Sequence, residues 1–80
     1  MSDNRKVPRK RVLLSGHIIC GHTSTFDCTI RNLSQYGACL RVGTAIGIPQ
    51  AFDLVIGHDP VPRHSRVIWR SEQELGIVFQ

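Results

Sequence analysis

The chain has 80 residues, with ten Lys or Arg, six Asp or Glu and four His, and a formal net charge of +4. A chain of this length holds one domain and buries only about 60–65% of its unfolded surface, so it leaves no room for a second domain and demands an efficient single core. Three cysteines cannot all pair within one chain, no apolar run reaches membrane-spanning length and the polar start has no apolar signal segment. These features argue against a disulfide framework and membrane insertion. They lead us to expect a cytoplasmic protein whose reduced thiols act as small hydrophobes.

Residues 1–11 read as a flexible basic arm. Five of the ten cations lie in Arg5-Lys6-Val7-Pro8-Arg9-Lys10-Arg11. The other five basic residues (Arg31, Arg41, Arg63, Arg66, Arg70) are matched by the acidic ones, so the positive excess belongs to the arm. Such a concentration implies an anionic partner, namely a nucleotide, a nucleic acid or a membrane surface; the plain alternative is a solubilising tail.

Residues 12–80 read as one β domain. Val12–Cys20 is a β-branched and apolar run, and Gly21 to Ser24 is a turn. Thr25–Leu33 alternates, with Phe26, Cys28 and Ile30 on one face and Asp27, Thr29 and Arg31 on the other, the period-two pattern of a half-buried strand. Gln35-Tyr36-Gly37 turns the chain into a strand over Ala38–Val42. A loop follows over Gly43–Gln50, then a strand over Ala51–Ile56, a turn at Gly57-His58-Asp59-Pro60, a strand over Pro62–Arg70 and a last strand over Leu75–Phe79. No stretch of ten residues keeps a 3.6-residue period, so the fold class is all-β. Six short strands without a helical crossover favour a small antiparallel barrel, whose closure removes exposed edges.

Two segments carry candidate chemistry. Arg5 and Arg9 stand about 13 Å apart in an extended arm, far enough to reach different parts of one ligand. Arginine's planar fork donates in pairs to phosphate or to a guanine edge, and its flat face stacks on a base. The turn Asn32-Leu33-Ser34-Gln35-Tyr36-Gly37 supplies short polar side chains. Asn32 can read a base edge, Ser34 can donate to a phosphate, and Gly37 can take positive φ and admit a ligand close to the backbone. Asn, Ser and Gly also favour turns for purely local reasons. Trp69 is either a core residue or a stacking surface, with Arg70 beside it. Arg31 and Arg41 flank the turn and can widen its field. The four histidines and three cysteines lack zinc-ligand spacing, and no nucleophile motif, phosphate loop or dinucleotide fingerprint occurs, so neither an enzyme nor a metal site is expected.

Taken as R-x-x-x-R (Arg5, Arg9) followed by N-x-S-x-x-G (Asn32, Ser34, Gly37), the two segments resemble the signature of the PilZ domain family, receptors for the bacterial second messenger cyclic di-GMP. Val67-Ile68-Trp69-Arg70 followed by Leu75-Gly76-Ile77-Val78-Phe79 resembles that family's closing hairpin. The resemblance implies a six-stranded Greek-key barrel, here without the C-terminal helix that many members carry. It implies cyclic di-GMP as the ligand and no cofactor, with Arg5 and Arg9 as the clamp and Asn32, Ser34 and Gly37 as the floor; Trp69 is added as a candidate. The expected function is a non-catalytic module that acts in trans on an effector protein. The alternatives are a nucleic-acid-binding small barrel, which the scattered aromatics disfavour, and a PilZ-like adaptor that binds only protein.

Overall fold

A computed structural model describes residues 10–21 and 24–80. It contains β1 (Lys10–Cys20), β2 (Ser24–Leu33), β3 (Gly37–Val42), β4 (Ala51–Ile56), β5 (Arg63–Arg70) and β6 (Glu74–Phe79), and no helix occurs among the described residues. The strands close into a barrel in the order β1-β2-β3-β6-β5-β4. Every neighbouring pair is antiparallel. β1, β2 and β3 form a meander. The chain then returns so that β4 pairs with β1, the Greek-key step, and β6 completes the wall against β3.

Periodicity explains most of this. On β2, Cys28 and Ile30 are buried and Phe26 is half-buried, while Asp27, Thr29 and Arg31 are exposed. Each strand sends at least one near-fully buried residue inward: Ile18, Ile30, Leu40, Leu54, Val67, and both Leu75 and Ile77 from β6. Burial of each such side chain contributes about 1.5–3 kcal/mol relative to exposure. Ser65 is the one buried polar residue among those described, and its hydroxyl donates to the Arg63 carbonyl at 3.0 Å.

The strand starts of β2, β3, β5 and β6 shift by one residue from the sequence expectation, and that of β1 by two. β1 starts at Lys10, so Lys10 and Arg11, assigned above to the arm, are strand residues paired with Leu33 and Asn32. Residues 43–50 are a loop, but not a loose one: Ala45 and Ile48 are buried in the core cluster. The Arg70 guanidinium holds them there, donating to the Ala45 carbonyl at 3.2 Å and the Ile48 carbonyl at 2.9 Å.

The ladder is irregular at three places: between Arg11 and Leu14, between Ile30 and Asn32, and between Val67 and Trp69. Bulges of this kind bend a strand and re-aim its side chains, and they gather beside binding sites.

Candidate functional site

All three irregularities abut one row of paired residues. Arg11 pairs with Asn32, Asn32 with Cys39, Cys39 with Gly76, and Gly76 with Trp69, so the row crosses β1, β2, β3, β6 and β5. On β3 and β6 its members alternate with the buried Leu40, Leu75 and Ile77, which puts the row on the outer wall of the barrel. Together with the β2–β3 turn it forms a cavity of about 250 Å³ lined by Asn32, Ser34, Tyr36, Gly37, Cys39, Ile68, Trp69 and Gly76, among others. No carboxylate lines it. The barrel thus brings together Asn32, Ser34, Gly37 and Trp69. Arg5 and Arg9 lie outside the described residues.

The turn residues act in different ways. The Ser34 hydroxyl accepts from the Tyr36 N–H at 3.1 Å and the Gly37 N–H at 3.3 Å, and donates to the Gly37 carbonyl at 3.4 Å. The Ser34 N–H donates to that same carbonyl at 2.9 Å. Ser34 is therefore first a turn-former that satisfies the backbone where β2 ends and β3 begins. Asn32 is half-buried and lines the groove, and among the described residues no protein group hydrogen-bonds its amide.

Gly37 departs from expectation. The described glycines with positive φ are Gly21, Gly47 and Gly57, and Gly37 is not among them. Its need for glycine is steric. A Cβ there would fall well inside 3.0 Å of the Ile77 carbonyl oxygen and 3.2 Å from Val78 Cα. The group that approaches this backbone closely is β6, with which Gly37 pairs through Val78.

Trp69 is not a core residue. It is 47% exposed and lies over Gly76. Its neighbour Arg70 belongs instead to the 43–50 loop, as described. Arg41 donates to Gln73 at 3.4 Å, away from the turn, and Arg31 is exposed at the β2 bulge. Sequence reasoning did not single out Ile68, Cys39 or Gly76 as groove residues. A glycine inside a strand pattern does signal a close approach, and Gly76 was legible on that ground.

The thiols divide by face. Cys28 is in the core, where burial, reinforced by the neighbouring Asp27 charge, pushes its thiol up from 9.0 to about 11. Cys20 packs against the core and its thiol is raised by burial. Cys39 lies on the outer wall, contrary to the expectation that all three are core hydrophobes. His17 pairs with Asp27 at 3.0 Å and His64 pairs with Asp53, both on the barrel surface. Among the described residues no group of three or more potential ligands can hold a metal.

The fold is thus a small Greek-key barrel with a largely apolar, carboxylate-free groove on its wall, edged by the polar side chains of Asn32 and Ser34. The chain matches the PilZ domain family over residues 3–80 and belongs to that family, whose members bind cyclic di-GMP and serve as adaptors rather than enzymes. No curated protein matches the sequence.

Proposed function

We propose that this chain is a cyclic di-GMP receptor that performs no catalysis and signals in trans to an effector protein in the bacterial cytoplasm. The observation that carries the reading is the convergence of Asn32, Ser34, Gly37 and Trp69 on one groove beside the start of β1, where the arm joins the barrel. Arg5 and Arg9 close over the ligand from the arm and supply paired donors to phosphate or guanine. Asn32 reads a base edge, and Ser34 keeps the turn in shape. The cavity is smaller than the roughly 300–1,000 Å³ that enclose a whole small ligand. It suits one base, with the remainder of the nucleotide held under the arm.

Two observations weigh against a nucleic-acid track. Phe52 is buried and the Phe79 ring lies 3.8 Å from the Arg63 guanidinium, so Tyr36 and Trp69 are the exposed aromatics among the described residues. A single groove does not make the row of stacking platforms that tracks a single strand. No described helix is long and apolar enough to cross a membrane.

Calorimetric titration with cyclic di-GMP, with GTP and a short single-stranded oligonucleotide as controls, tests the reading. Saturable binding of cyclic di-GMP alone is expected. Preferential binding of the oligonucleotide, or of nothing, overturns it.

A further inference from the structure

We infer that Gly76 is a positioning residue of this groove: it seats the Trp69 indole flat on β6, leaving the ring's opposite face to stack on a base of the bound nucleotide. This rests on the cyclic di-GMP reading above.

Trp69 and Gly76 are direct ladder partners, and the irregularity between Val67 and Trp69 leaves Ile68 out of register beside them. A Cβ built on Gly76 would lie no more than 2.5 Å from each of Trp69 Nε1, Cε2 and Cδ1. These are the indole nitrogen and the two carbons bonded to it. An edge-on approach through the nitrogen would leave both carbons markedly farther away. Near-equal closeness to all three means that the ring presents its face to Gly76. One face is therefore spent on the sheet, and the 47% exposure of Trp69 belongs to what remains.

Trp69 lines the same cavity as Asn32 and the turn residues, together with Ile68 and Tyr36, 60% and 61% exposed. An indole offers a large flat surface at little conformational cost, and offset stacking on a base needs that surface held at a fixed angle. Only glycine allows this seat, because any Cβ lifts the ring. Gly76 has no positive φ, so alanine is accepted by its backbone and acts through its methyl group alone.

A covering aromatic also stabilises a strand glycine without any ligand. The test must therefore separate stacking from stability. The chain has one tryptophan, so its emission reports this ring alone. Cyclic di-GMP is titrated into the full chain by fluorescence and calorimetry. Wild-type emission should change on binding. Gly76→Ala should still melt cooperatively, show shifted ligand-free emission and bind roughly tenfold more weakly, a value within the range of base–aromatic stacking. Trp69→Phe keeps a flat face and should retain most of the affinity, whereas Trp69→Leu keeps bulk without a face and should lose about tenfold or more.

Unchanged affinity in a folded Gly76→Ala protein with shifted emission overturns the inference. Equal affinities for Trp69→Phe and Trp69→Leu do the same, and that pair decides alone if Gly76→Ala fails to fold. A wild-type chain that does not bind cyclic di-GMP sinks the receptor reading and this inference with it. Binding that is intact in wild type, Gly76→Ala and Trp69→Leu sinks only this inference.

Discussion

Ser34 shows how much of a turn one short side chain can hold. Its hydroxyl meets two backbone N–H groups and one carbonyl within the β2–β3 turn. Ser34→Ala leaves those groups to water and should lower stability by about 1–2 kcal/mol. In a domain of this size each kcal/mol shifts the melting temperature by roughly 4–8 °C, so a thermal melt resolves the loss. Arg9 makes the opposite case. It precedes the first strand in the chain, so we expect Arg9→Ala to barely move the melt yet weaken cyclic di-GMP binding by roughly 2–4 kcal/mol, through lost charge-assisted contacts. Arg63→Ala is the matched control: it removes the same charge from a residue that does not line the groove and should leave affinity within 1 kcal/mol, about the limit for an exposed ion pair. Equal losses in the two variants would make the arm a nonspecific electrostatic tail. Cys28 contributes through pH. Its folded thiol is raised from 9.0 to about 11, so it stays protonated where the unfolded chain would ionise. The contribution is complete below about pH 9 and is lost as pH rises through about 11, amounting to about 2–3 kcal/mol. Chemical denaturation at both ends of that window should show a smaller alkaline loss in Cys28→Ala than in wild type.

Between β3 and β6 the contact is set by backbone proximity. Gly37→Ala drives a methyl into the Ile77 carbonyl and should cost about 3 kcal/mol, at the upper end of overpacking penalties, because the obstacle is main chain and cannot rotate away. It also parts the two strands that carry Cys39 and Gly76, so binding should fall with stability. Equilibrium denaturation checks the first effect, and a wild-type midpoint would contradict the steric account. Much of the element level was legible in the chain: alternation in β2, the Gly-Pro turn before β5 and the bound strands all follow from local pattern. The bulges were not. Pairing irregularity depends on what the neighbouring strand presents, and neither Arg31 nor Ile68 carries a local mark of being the extra residue.

Closure is a property of the whole molecule and is unevenly shared. β1 pairs with β2 along its whole length apart from the irregularity between Arg11 and Leu14, but meets β4 only over Gly16–Ile19, and β4 pairs with β5 only over Ala51–Leu54. β4 is therefore the least-tied stave. Native-state hydrogen exchange should find its amides opening before those of β2 and β3, and uniform protection around the barrel would refute that order. Opening there leaves the groove intact, since its wall is built from β2, β3, β5 and β6. The sequence by itself determined the strands, the inward face of β2 and the two motif segments, because alternation, turn chemistry and charge clustering are local and survive without a partner. Only the tertiary structure decided that the site is a groove on the outer wall, that Gly37 answers to β6, that Trp69 rests on Gly76 and that Arg70 clamps a distant loop. Each of these depends on register between strands far apart in the chain, where a shift of one residue reverses every side chain, and no local pattern encodes that register.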